Sequence, residues 1–451
     1  MYKKTFVKAV AALLALLLLS GCAAAELPND SPNIIDGENV SVNGVRVPVD
    51  GDIMKANSMR KTFELVKTDG VIALSASDVG DDTAARTLAQ HINDFGYRLT
   101  AMADDGGSFV FSPFSVYAAL ASLSNGATGT AYDQMQAALY PQGISRDEFN
   151  KAAGELLALL VSEPSHGLEQ QQYEFAIATL VTVDEKYYLD EDFAETAKKS
   201  FRADVAKAKF SQPDAKDYLN EWAAEATRGL IPQLFSDAID PDTAVILMNS
   251  VYFHGGWVNK FYDGLTEEEV FHGKDGDRNV QMMQREGITR YFENEMLQSV
   301  RMYYRGGAFM DVYLPKEGYS PEEVLASLGE LDAEYSDYQG LLKLPRFKTE
   351  YGVELDDAIK NLGMTDIYSG GLEKLAVGPF DIELTSVFQK AAIEVDEEGT
   401  TAAAVTALIA SATGMPVTNG TFEMICDRPF IYSISVDMGE WEQVLFVGAE
   451  R

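Results

Sequence analysis

Four histidines and two cysteines are the side chains of this 451-residue chain best suited to acid–base or nucleophilic work. Their spacing offers little to either. His91, His166, His254 and His272 stand far apart, and no Gly-x-Ser-x-Gly, His-Glu-x-x-His or Gly-x-x-x-x-Gly-Lys run occurs that would place a nucleophile, a zinc ion or a phosphate. The histidines read as surface or hydrogen-bonded structural residues; no cofactor or metal is expected, and no enzymatic site. A different chemistry is suggested by Glu397-Glu398-Gly399, because the fourteen residues that follow, Thr400 to Thr413, contain no charge, Pro or Gly. A solvated linker normally carries such residues, and a surface helix shows charges on its outer face. The stretch suits a strand buried on both faces, with small side chains early in it and a length of about 46 Å when extended. Gly399 would supply the backbone freedom of a hinge. A permanent Ala-rich core helix fits the same composition, since Ala has the highest helix propensity.

A segment of this kind needs a sheet to enter, and the chain has the material for one. It is 46% hydrophobic and 24% charged, the balance of a folded protein. The runs Phe175 to Val183, Ala244 to Phe253, Phe430 to Val436 and Gln443 to Val447 are apolar on both faces, which predicts sheet covered on both sides. Helices are predicted after Ser145, which with Glu148 forms a capping box, and after Asp190. From His91 to Arg451 there is no repeat or low-complexity break, so residues 85–451 are expected to form one mixed α+β domain. Seventy acidic against 36 basic residues give a net charge of −34, which repels phosphate backbones and argues against a nucleic-acid partner.

Lys3, Lys4 and Lys8 precede eleven apolar residues, Ala9 to Leu19, too few to span a bilayer. Residues 1–21 therefore read as a secretory signal peptide. Leu19-Ser20-Gly21-Cys22 resembles the lipobox of bacterial lipoproteins, which implies cleavage before Cys22, acylation of its thiol and retention at the outer face of a bacterial membrane. Cys426 is then the remaining thiol. Residues 22–84 read as a lipidated tether, in which valines on either side of Asn43-Gly44 predict a small hairpin.

The domain resembles the serpin family. The hinge Glu397, Glu398, Gly399, Thr400, Thr401, Ala402, Ala403 and Ala404 is similar to that of the family's reactive loop. So are Phe111-Ser112-Pro113-Phe114-Ser115, Asn220-Glu221-Trp222, Asn249-Ser250-Val251-Tyr252-Phe253, Leu344-Pro345-Arg346-Phe347 and Asp427-Arg428-Pro429-Phe430, in the family's order. The resemblance implies three β-sheets, eight or nine α-helices and an exposed reactive-centre loop. It also implies suicide-type inhibition: the loop baits a serine or cysteine protease, is cut, and inserts into the large sheet A, trapping the acyl-enzyme. Ser112, Ser115 and Asn249 match polar residues of the shutter beneath that sheet, and Trp257 matches the breach at its top. Gln389 stands where many members have His, so protonation there near neutral pH is not expected to control opening.

The family's spacing from the hinge places the cut bond between Thr413 and Gly414, while counting back from Pro429-Phe430 moves it later. Ala412, Thr413, Gly414, Met415 and Val417 are all candidates for the scissile bond. No Lys, Arg, Asp or Glu lies between Thr400 and Gly420, so an elastase-like or subtilisin-like protease is the expected partner of a monomeric inhibitor. The alternative is a non-inhibitory serpin serving as a cell-surface binding module.

Overall fold

The computed structural model describes residues 33–36, 39–42, 45–48, 62–68, 70–80, 82–161, 173–227, 229, 232–400 and 418–451. Cys22 lies outside these residues. The chain divides into two units, Met1–Ser58 and Met59–Arg451. In the first, the strands Asn39–Val42 and Val45–Pro48 pair antiparallel with Val42 opposite Val45, the hairpin expected around Asn43-Gly44. A strand unforeseen in the sequence, Asn33–Asp36, pairs with the outer edge of Asn39–Val42. It supplies the third strand without which a hairpin is marginal in water.

The second unit is built on a sheet of seven strands: β1 (Phe63–Leu65), β2 (Tyr173–Asp184), β3 (Asp204–Ala208), β4 (Val245–Gly256), β5 (Phe347–Glu354), β6 (Leu384–Val395) and β7 (Gly399–Thr400), in the order β5-β6-β7-β4-β2-β3-β1. A nine-stranded array completes the framework. Its 18-residue strand Gly276–Glu293 pairs with Glu267–Gly273 near one end and with Leu297–Tyr303 near the other, so two of the expected three sheets share one continuous strand. Eight α-helices form among the described residues. Ser145 and Asp190 cap theirs as their sequences predict, accepting from the Glu148 and Phe193 amides. None of the helices described is long and apolar enough to cross a membrane.

β4 shows why this sheet reads as an unbroken apolar run. Val245, Leu247, Val251 and Phe253 join the main core, while Ile246 and Met248 pack with Leu219 and Trp222 of the Ala215–Ala226 helix on the other face. On the core side runs the helix Pro113–Ser124, every residue of which is buried. Pro113 fits its first turn, where an amide hydrogen is not needed, and Ser112 caps it. A helix apolar all round can only be an interior element, and this one lies beneath the middle of the sheet.

The folded domain begins earlier than the boundary at residue 85. Phe63 pairs with Ala208 and Leu65 with Ala206, and the Leu74 carbonyl accepts from Arg202 at 2.7 Å. This strand has only three residues, too short for an alternation to be visible in the sequence.

Candidate functional site

The sequence around residue 399 forms a tight corner at the end of β6. Asp396 makes it: its carboxylate accepts from the Glu398 and Gly399 amides at 2.8 and 3.1 Å, and its own amide donates to the Gly399 carbonyl at 3.0 Å. The chain then turns back between β6 and β4. Thr400 pairs antiparallel with Val395 on one side and Gly255 on the other, and Gly399 lies opposite Gly256. Gly399 is required for close approach: a Cβ there would come 2.1 Å from the Gly255 carbonyl oxygen.

Below this wedge the sheet is closed, with β6 and β4 paired directly and parallel from Leu384 opposite Val245 to Ala391 opposite Val251. Thr400 is fully buried, and its hydroxyl is 2.5 Å from that of Tyr304. Tyr304 stacks on Trp257 with ring centroids 4.2 Å apart, and the Trp257 indole donates to the Asp396 carbonyl at 3.0 Å. Trp257 therefore braces both arms of the corner.

Glu397 and Glu398 fasten it from outside. Glu397, only 3% exposed, receives a forked pair of bonds from Arg346 at 2.7 to 2.9 Å and a further bond from the Thr266 hydroxyl. Burial alone would raise its pKa, but the Arg346 and Thr266 bonds outweigh burial and hold it below the usual carboxylate range. Glu398 pairs with Lys260.

The second cluster sits at the N-terminus of the Pro113–Ser124 helix. Gln389 donates to the Ser112 carbonyl at 2.8 Å and Ser115 Oγ at 2.9 Å, and accepts from the Ser112 amide at 2.9 Å. Asn249 donates to the Ser115 carbonyl at 3.2 Å and to Thr179 Oγ1 at 3.1 Å, and accepts from the Ser115 hydroxyl. Gln389 and Asn249 are also register partners across the closed seam, joined by a 3.2 Å bond from Gln389 Nε2 to Asn249 Oδ1. Besides the backbone ladder of the seam, that bond is the one side-chain link in this cluster that joins β6 directly to β4, since the other bonds of each amide run to the helix or to β2.

The structure thus brings Ser112, Ser115, Asn249 and Gln389 together and sets Trp257 at the far end of the seam, beside Glu397, Glu398, Gly399 and Thr400. Thr401, Ala402, Ala403, Ala404 and the scissile-bond candidates Ala412, Thr413, Gly414, Met415 and Val417 lie outside the described residues. Sequence reasoning missed Thr179, Tyr304, Arg346 as the partner of Glu397, and Lys260. Thr179 alone left a trace, as a polar residue in a run buried on both faces, where a hydroxyl needs a partner. Among the described residues no cluster of His, Cys, Asp and Glu is placed to hold a metal ion. Cys426 is fully buried, and burial pushes its thiol pKa up, away from reactivity.

A family model described as serpin (serine protease inhibitor) matches residues 90–449. The chain belongs to the serpin family. Among relatives, Serpin-Z10 of Arabidopsis thaliana is 29% identical over 80% of this chain and 97% of its own length, and Serpin-ZXA of Oryza sativa subsp. japonica is 30% identical over 80% and 96%. The human Serpin B4 is 28% identical over 75% of this chain and 92% of its own. The crystal structure of tengpin, a thermophilic serpin, in its native state superposes with a TM-score of 0.73 at 26% identity, covering 86% of this chain and 99% of tengpin. The serpin fold accounts for the large sheet above, in which the two-residue strand Gly399–Thr400 is seated at one end of a closed seam.

Proposed function

We propose that this serpin is a suicide-type inhibitor of serine or cysteine proteases, which it traps as acyl-enzymes by inserting its cleaved loop between β4 and β6. The observation that carries this reading is the seat of Gly399 and Thr400, already antiparallel to both strands at the top of the seam. Continuing that register sets Ala402 opposite Ile393, Ala404 opposite Ala391, Thr406 opposite Gln389 and Leu408 opposite Val387. None of these loop residues carries a charge whose burial would oppose entry. Thr406 is the polar member, and it arrives where the Gln389–Asn249 bond must break, with a hydroxyl that can bond to both amides. Ser112, Ser115, Asn249 and Gln389 then act as the gate, and Trp257 as part of the seat from which insertion starts.

The uncharged loop favours an elastase-like or subtilisin-like target, with the acyl bond at Ala412, Thr413, Gly414, Met415 or Val417. Cys22 is proposed to carry the lipid that holds the monomer at the outer face of a bacterial membrane. The test is incubation with elastase, subtilisin and trypsin, followed by denaturing electrophoresis and mass spectrometry of the released C-terminal peptide. A denaturant-resistant complex with one of the first two is expected, and little with trypsin. Cleavage without a trapped protease would favour the binding module instead.

A further inference from the structure

Acidic side chains outnumber basic ones 70 to 36 in this chain, so a cavity ringed by arginine is out of keeping with the rest of the surface. One lies where, among the described residues, the Gly276–Glu293 strand is short of a neighbour. That strand pairs with Glu267–Gly273 as far as Met282 and with Leu297–Tyr303 only from Arg290, leaving between them an edge that no described strand covers. A cavity of about 820 Å³ occupies the gap, walled by Lys260, Arg285, Arg290, Arg301 and Arg305 against two acids, Glu286 and Asp337.

Two of the five cations are committed elsewhere. Arg301 pairs with Asp311 at 2.8 Å and Glu442 at 2.5 Å, and Lys260 pairs with Glu398. Arg285, Arg290 and Arg305 have no ion pair among the described residues. Arg285 is 7% exposed, and among the described residues its guanidinium donates to neutral oxygens, the Asn259 carbonyl at 2.5 Å and Thr289 Oγ1 at 3.3 Å. Arg290 stands directly opposite Arg301 across the sheet, a like-charge placement that sheets ordinarily avoid. Asp337 faces Arg290 from the other side without closing to ion-pair distance.

We propose that this cavity binds a small oxyanion bearing two or more acidic groups, of the phosphate or polycarboxylate class. Guanidinium forks match such groups in pairs of parallel hydrogen bonds, and the volume suits a small molecule. A long polyanion is excluded, because beyond the rim it meets a protein of net charge −34. Lys260 ties the cavity to the hinge, since it lines the one and holds Glu398 of the other. An anion that draws on Lys260 weakens its hold on Glu398, and by reciprocity a chain lacking that carboxylate binds the anion more tightly. Binding at this site does not depend on whether the chain inhibits proteases.

The experiment is calorimetric titration of the full chain with pyrophosphate at fixed ionic strength. One saturable site is expected. Arg290→Gln and Arg305→Gln should each weaken it by about tenfold or more, Arg86→Gln, at a surface pair on the Thr83–Ala103 helix, should leave it unchanged, and Glu398→Gln should tighten it several-fold. Arg290 is exposed, so its replacement leaves the core intact. Absence of saturable binding, or equal weakening by Arg86→Gln, overturns the site; an unaltered affinity in Glu398→Gln overturns its link to the hinge.

Discussion

Glu397 concentrates the residue-scale chemistry of the hinge. Its pKa is held below the ordinary carboxylate value, so its contribution is fully present above that range and is lost as pH falls through the depressed value. The hinge should therefore stay fastened in mild acid and loosen only in stronger acid. Arg346→Gln removes the counter-charge and leaves burial to raise the Glu397 pKa, which should move the loosening to higher pH. The cost at neutral pH should be on the order of 1–2 kcal/mol, because Arg346 is nearly half exposed and solvent screens the pair. Hydrogen exchange of the Thr400 amide against pH measures it, and superimposable profiles for the two proteins would remove Glu397 from the anchoring role. Thr406→Val tests the register of insertion. It should lower the melting temperature of the cleaved form by the equivalent of about 1 kcal/mol, the net worth of a hydrogen bond, while leaving the uncleaved form unaltered. Calorimetry of both forms separates this from a general packing effect, which would appear in both.

At the scale of elements, the decisive object is a strand of two residues, Gly399–Thr400. It gains its place from position, since so short a strand has no stability of its own. Thr400→Arg puts a charge into a fully buried site against Tyr304, at an effective cost of several kcal/mol. The seat should be lost before cleavage, insertion should fall behind deacylation, and the chain should be turned over as a substrate. The ratio of cleaved to complexed chain is the readout, and a ratio equal to the wild type's would show that Thr400 does not lead the entry. The elements that sequence made legible are those with a long period or a marked start, such as the capping box at Ser145 and the run through β4. Phe63–Leu65 and Asn33–Asp36 escaped, because three or four residues hold too few turns of any pattern.

For the whole molecule, the proposed insertion would add a central strand to a sheet that is closed along most of its length. Such a strand gains hydrogen bonds on both edges and buries apolar area, so the loop-cleaved protein should unfold well above the intact one. Scanning calorimetry before and after limited proteolysis in the loop decides this, and equal transitions would indicate a loop that stays out. The proposed anchoring is tested at the same scale. Two acyl chains on Cys22 would make a stable membrane anchor, so on this proposal Cys22→Ala should shift the protein into the soluble fraction with its leader left uncut at that bond. Retention of the variant in the membrane fraction would rule out the lipid.

Composition and order of residues by themselves determined the class of fold and the uncharged character of the loop, while the polar residues around Ser112 were marked by the resemblance of their motifs to the serpin family. These are properties of single residues or of neighbours in sequence, and a buried amide such as Asn249 announces its need for partners wherever it lies. What only the tertiary structure decided is which groups meet. Arg346 is 51 residues from the carboxylate it grips, Tyr304 is 96 from the hydroxyl it touches, and Gln389 is 140 from Asn249. Each pairing follows from strand order and register in the two sheets, and register is set by packing of whole faces rather than by any local signal. The arginine-walled cavity has the same origin, as a gap left where two neighbouring strands of one long strand end short of each other.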